Sequence, residues 1–166
     1  MNSLPELSRD LALGITTSEK LTHACLENIA NPVGEGARAF IKVWTNSALA
    51  TARASDVARA MGQIPSAIAG IPISIKDLFD VKGEVTCAGS KILADAPPAT
   101  SDAPVIARLR AAGAIILGRT NMTEFAYGAH GMNAHYGTPA NPWDRNIRHI
   151  PGGSTSGGAV SVTDDM

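Results

Sequence analysis

The sequence predicts an α/β protein, a mixed twisted sheet flanked by helices, and three observations carry that reading. Asp102-Ala103-Pro104, a helix-suited run from Val105 to Ala112, a stop at Gly113 and the apolar Ala114-Ile115-Ile116-Leu117 form a helix–glycine–strand unit. Ile71-Pro72-Ile73-Ser74-Ile75 alternates and is β-branched, as a strand should be. Hydrophobic residues make up 45% of the chain, charged ones 17% and aromatics only 4%, so the core must be aliphatic and alanine-rich.

The elements follow in order. Leu4, Leu7, Leu11 and Leu13 recur near a helical period until Gly14 interrupts them. Thr17-Ser18-Glu19-Lys20 supplies capping hydroxyls for a second helix through Leu21, Cys25, Leu26 and Ile29, so residues 3–30 are expected to be helical. Asn31-Pro32 ends it and Gly34-Glu35-Gly36 reads as a loop. Phe40–Trp44 resembles a short strand, and the alanine-rich residues 46–62 suit a helix. Gln63–Ser66 is a linker. In the next strand Pro72 favours an edge or a first position. Ser74 and Lys76 there share one face while Ile73 and Ile75 share the other. In the helix–glycine–strand unit Pro104 falls in the first turn, where its missing N–H costs little, and Gly113 caps the end. Asn121–Phe125 is expected to open a short helix, and Gly128–Gly158 to be long and irregular.

Net charge is −1 with no run of Lys or Arg, which argues against a nucleic-acid surface. Cys25 and Cys87 lie far apart without a CxxC partner and read as reduced thiols rather than zinc ligands. The N-terminus lacks a basic region followed by an apolar stretch, and no apolar run approaches a membrane span, so the chain reads as soluble and cytoplasmic.

Two features bear chemistry. Lys76 at a strand end is either an ordinary solvated lysine or a shielded one whose lowered pKa lets it act as a neutral base. Asp77 and Asp80 follow closely, so the second reading requires both carboxylates to face elsewhere. The stretch GGSTSGG, Gly152–Gly158, lacks the lysine of a phosphate loop and the preceding strand of a dinucleotide fingerprint. What remains is glycine-permitted backbone that gathers a serine hydroxyl and several N–H groups, as a serine-based site requires. The four histidines, His23, His130, His135 and His149, match no metal or nucleophile-elbow spacing.

The strings GIPISIKD, DVKGEVTCAGS, TSDAPVIARLRAAGAIILGRTNMTEFAYG, YGTPANPWDR and PGGSTSGGA follow one another over about residues 70–160. Together they resemble the amidase signature family, whose enzymes hydrolyse or transfer amide groups with a Ser–cis-Ser–Lys triad. The resemblance implies that Lys76 is the base and that Ser154 is the bridging serine, joined to Gly153 by a cis peptide. Thr155 and Ser156 would support it by hydrogen bonding, and Ala126, Tyr127 and Gly128 would form one wall of the site. It implies no cofactor or metal, and a small amide as substrate with no direct nucleic-acid or membrane partner. The full-length form would be a homodimer or part of an amidotransferase complex.

On this reading residues 1–166 are the first portion of one amidase domain, with a mainly helical lead-in over 1–62 and the signature region over 70–160. The family's nucleophilic serine lies in a DTGGS-like stretch that these residues do not contain. The chain alone is therefore expected to be inactive, with an open sheet edge and poor solubility. The alternatives are a fragment of the A-type subunit of a glutamine-dependent aminoacyl-tRNA amidotransferase and a non-catalytic fragment. The residue types have a common logic: serine is a poor nucleophile without a base, and lysine is a base only when neutral.

Overall fold

The computed structural model describes residues 3–166. It is a mixed α/β structure built on a three-stranded sheet in the order β1-β3-β2. Strand β1 is Phe40–Val43, β2 is Pro72–Lys76 and β3 is Ile115–Thr120. The central strand β3 is antiparallel to β1 and parallel to β2. Pro72 is the first residue of β2, an outer strand, where its missing N–H removes no ladder bond.

Before the sheet come α1 (Leu4–Ala12), α2 (Ser18–Ala30) and a single turn, α3 (Gly36–Ala39). Helix α1 starts where Glu6 accepts the Ser3 N–H at 2.7 Å. Helix α2 starts at Thr17, whose hydroxyl accepts from Lys20 N–H. The next two orphan donors of α2, at Ser18 and Glu19, are taken by the Asp56 carboxylate of α4 (Thr45–Ala60). Helix α5 (Pro104–Ala111) carries the chain from β2 across to β3, and α6 (Ser156–Thr163) packs back on the sheet.

Each sheet face has its own apolar cluster. On one, Ile115 and Leu117 of β3 pack with Leu26, Ile29, Ala48, Ala52 and Val160 from α2, α4 and α6. On the other, Ile75 and Ile116 pack with Val81 and with Ile106 of α5. Small alanines let α4 come close, which fits the scarcity of aromatics.

Three expectations need correction. The helix expected over Asn121–Phe125 is a single 3₁₀ turn at Glu124–Ala126, because Phe125 and Ala126 take left-handed φ values of 51° and 59° that no α-helix continues. The irregular stretch expected to reach Gly158 ends at Thr155, where α6 begins. That helix forms despite two glycines because Gly157 presses on the backbone: a Cβ there would lie 2.0 Å from the Ala39 carbonyl oxygen. Gly36 likewise opens α3 rather than a loop, seated against the Ile29 backbone.

Strand β3 also runs three residues past the apolar run, through Gly118, Arg119 and Thr120, and all six positions are buried. Gly118 is needed there, because a Cβ would lie 2.2 Å from the Lys42 carbonyl oxygen. The β2–β3 ladder slips between Ile73 and Ser74, so that Ile73 pairs with Ile116 but Ser74 pairs with Gly118. The slip changes the alternation of β3 and places Arg119 beside Ile75 and Thr120 beside Lys76. No helix among the described residues is long and apolar enough to cross a membrane.

Candidate active site

Lys76 is the last residue of β2, and pleating sends its side chain to the face covered by α6. There its Nζ donates to Ser154 Oγ at 2.6 Å. Two residues earlier, Ser74 Oγ meets Ser161 Oγ of α6 at 3.1 Å, so this face of β2 is tied twice to the GGSTSGG segment and its helix.

The loop that carries Ser154 is held on both sides. The Gly153 N–H donates to the Ala129 carbonyl, and the Ser154 carbonyl accepts from Thr123 N–H at 3.0 Å. The Gly153–Ser154 peptide is cis. A Cβ on Gly153 would lie 2.6 Å from Gly131 N and 2.8 Å from Thr123 Oγ1, so only glycine fits this passage. Downstream, Gly157 N–H donates to the Asn121 carbonyl at the end of β3, fixing the start of α6 relative to Lys76.

Both acidic neighbours of Lys76 face elsewhere. Asp77 points through the sheet to the opposite face, where it is 1% exposed and ion-paired with Arg119 at 3.2 Å. Asp80 accepts from Thr86 Oγ1. Burial alone acts on the Lys76 ammonium and holds its pKa below the ordinary lysine value near 10.5. Burial pushes the Asp77 carboxyl upward, opposed by N–H donation from Gly89 and Cys87 and by the Arg119 guanidinium.

A lysine lowered in this way titrates below free lysine, and ¹³Cε or ¹⁵Nζ NMR of Lys76 against pH is the measurement. The unfolded chain binds this proton more tightly, so stability rises with pH from the depressed folded value up to the free-lysine value. A Lys76 midpoint at or above that of the exposed lysines would contradict the shielded environment.

The other candidate residues are less closely engaged. Thr155 is exposed and its side chain makes no cap bond, while Ser156 Oγ is buried with no partner among the described residues. Among those residues neither is shown hydrogen-bonded to Lys76 or Ser154: Ser156 is turned inward at the start of α6, and Thr155, just before the helix, is exposed. Tyr127 is 91% exposed and lines a hollow of about 680 Å³ with Thr123, Phe125, His130 and Met132. Thr123 joins that hollow to the Ser154 loop. Ala126 and Gly128 shape its backbone, at φ 59° and 145°. Among the histidines, His135 pairs with Glu124 at 2.8 Å and His130 accepts from Met132 N–H. Cys25 and Cys87 are free thiols. Among the described residues no group of three or more His, Cys, Asp or Glu is placed to hold a metal.

The sequence pattern alone gave no sign of Thr123 or Arg119. Thr123 works through its backbone N–H, which any residue but proline supplies. Arg119 reaches its face only through the β3 slip.

This arrangement, a lysine and a serine in contact on a glycine-bound loop, coincides with a family match: the model described as Amidase covers residues 20–166. The chain belongs to the amidase family. It is 45% identical over 160 residues to the A-type subunit of the glutamyl-tRNA(Gln) amidotransferase of Pseudomonas putida, covering 96% of this chain and 32% of that protein. It superimposes on the native peptide amidase of Stenotrophomonas maltophilia with a TM-score of 0.85 and 35% identity, over 97% of this chain and 34% of that one. An inhibitor-bound structure from a vestigial complex related to an s-triazine catabolic enzyme gives a TM-score of 0.86 at 40% identity, over 94% and 34% of the two chains. The amidase-family chain thus spans about a third of the length of the curated relatives it matches.

Proposed function

We propose that Lys76 and Ser154 are the base and the relay of an amide-cleaving site. The observation that carries this is the 2.6 Å contact between Lys76 Nζ and Ser154 Oγ, with both nearby carboxylates engaged elsewhere. The acyl-accepting serine is supplied from outside the 166 residues. Its oxygen attacks the amide carbonyl, its proton passes to Ser154 Oγ, and the Ser154 proton passes to Lys76 Nζ. Collapse breaks the C–N bond, and the proton returns through Ser154 to the leaving nitrogen. Water then releases the acid by the same route.

The substrate on this reading is a carboxylic amide, with Tyr127, Ala126 and Gly128 on one side of its site. Thr155 and Ser156 flank the relay. Residues 1–166 form part of one amidase domain, residues 1–62 being a mainly helical lead-in that also supplies β1, and 70–160 carrying the site. A second reading, favoured by the 45% identity to a glutamyl-tRNA(Gln) amidotransferase chain, is ammonia release from glutamine within a multi-chain complex. A homodimer is the assembly expected of the plain hydrolase, and a cytoplasmic location goes with either reading.

The test compares the 166-residue chain with the product of its coding frame read past Met166. Each is assayed for release of ammonia or amine from aliphatic amides, aromatic amides and glutamine. Turnover by a product that carries a Gly-Gly-Ser nucleophile segment supports the proposal. Its absence on every amide, in a folded product carrying that segment, overturns it. Glutamine turnover that needs added partner proteins selects the second reading.

A further inference from the structure

The sheet face opposite Lys76 carries a buried polar network that the proposed reaction does not use. Asp77 Oδ1 accepts from Arg119 Nη1, and Asp77 Oδ2 accepts from the Gly89 N–H at 2.9 Å. The Asp77 carbonyl accepts from Ala88 N–H, also at 2.9 Å. Arg119 extends the grip: Nη1 donates to the Phe79 carbonyl at 2.9 Å, Nη2 donates to Thr86 Oγ1, and the guanidinium lies 5.8 Å from the Trp44 ring centroid. One ion pair therefore holds both ends of the segment 79–89 against the end of the sheet.

That segment reaches the candidate site. The Ala88 carbonyl accepts from Phe125 N–H at 2.8 Å. Asn133 Nδ2 donates to the carbonyls of Gly89 and Met122, at 2.7 Å each, and locks the same two stretches together. Phe125, Ala126 and Ala88 all hold left-handed φ, at 51°, 59° and 53°. Non-glycine residues keep such values only where their surroundings over-determine them. Here the surroundings are the carbonyls and amides fixed by Asp77.

We propose that Asp77 and Arg119 are positioning residues, whose buried pair acts through the Ala88–Gly89 turn to set Phe125 and Tyr127 in the hollow that Thr123 links to the Ser154 loop. This deepens the reading of Lys76 and Ser154 as a reaction centre and rests on it. The residue next to the base thereby has a second use. Its backbone N–H stays in the β2–β3 ladder with the Thr120 carbonyl, and its carboxylate fixes the wall on which substrate would rest.

The test is amide hydrogen exchange on the 166-residue chain, which needs no turnover and so stands or falls apart from the functional reading. Asp77→Asn is expected to speed exchange at Gly89, Ala88 and Phe125 by about tenfold or more, with Ile116 and Leu117 within about twofold of the parent. Uniform acceleration at all five amides, or an unchanged Phe125, overturns the proposal. Should Asp77→Asn fail to fold, Asp77→Glu keeps the charges balanced while moving the carboxylate by one methylene, and the same local loss is expected. In the turnover-competent protein Asp77→Glu is expected to raise KM by about tenfold with kcat within about threefold. A fall in kcat at constant KM would place the pair in the chemistry instead and overturn the positioning role.

Discussion

Lys76→Met lowers kcat for amide hydrolysis by about 10³-fold in the turnover-competent protein, within the 10²–10⁴-fold range of a positioned proton-transfer group. The reason is local. Ser154 Oγ has one titratable neighbour within hydrogen-bond reach among the described residues, the Lys76 amine at 2.6 Å. Methionine keeps the length and apolar stem of the side chain but accepts no proton at neutral pH. KM should move little, since the substitution removes proton transfer and leaves the hollow beside Thr123 intact. Ser154→Ala should cost a similar factor, and the double variant little more than either single one, because a relay fails as a unit. The activity of the parent should fall as pH drops through the depressed Lys76 pKa, where the amine becomes charged and stops accepting. Steady-state ammonia release against pH, for the parent and the three variants, checks all of this. A Lys76→Met protein that turns over at the parental rate removes Lys76 from the mechanism.

Gly157→Ala is expected to lower the unfolding free energy by about 3 kcal/mol, at the upper end of ordinary overpacking costs. The added methyl would lie 2.0 Å from the Ala39 carbonyl oxygen and 2.6 Å from Asn121 N. Both are backbone atoms, so no side chain can swing aside, and either α6 or the end of β3 must move. The melting temperature should drop by roughly 6–12 °C, given about 2–4 °C per kcal/mol for a chain of this size. Gly158→Ala is the matched control. Its methyl would press on the Thr155 Cγ2, at 2.8 Å, which can rotate away, and would meet Thr120 Oγ1 at an ordinary 3.7 Å, and alanine favours a helix. Equal melting temperatures for the two variants would show that α6 does not depend on the close approach at Gly157. The site would feel the first substitution too, since α6 starts two residues after Ser154.

The residues that sequence reading finds most easily are those whose role follows from type and spacing. The α5–Gly113–β3 unit is legible because a proline start, a glycine stop and an apolar run each have a local cause. Lys76 and Ser154 are legible because their surrounding strings resemble a family, although nothing in either string says that they touch. What stays hidden depends on contacts between distant segments. A one-residue slip in the β2–β3 ladder decides which face Arg119 takes, and no pattern of hydrophobicity encodes it. Phe125 and Ala126 look like helix residues until the Ala88 carbonyl holds the first of them in a conformation the helix cannot use. Helix α6 contradicts its own glycine content, because close packing on Ala39 outweighs a propensity cost of about 1 kcal/mol per glycine.

The lysine and serine in contact are 78 positions apart in the chain. Closing so long a loop from a disordered coil has an entropic cost that grows only slowly with length, but nothing local repays it. The contact rests on the pairing of the Lys76 strand with β3 and on the bond from Thr123 N–H to the Ser154 carbonyl. An unfolded chain leaves that lysine in water, without the burial that lowers its pKa in the fold. The shielding of that side chain therefore belongs to the tertiary arrangement and not to the strand that carries it.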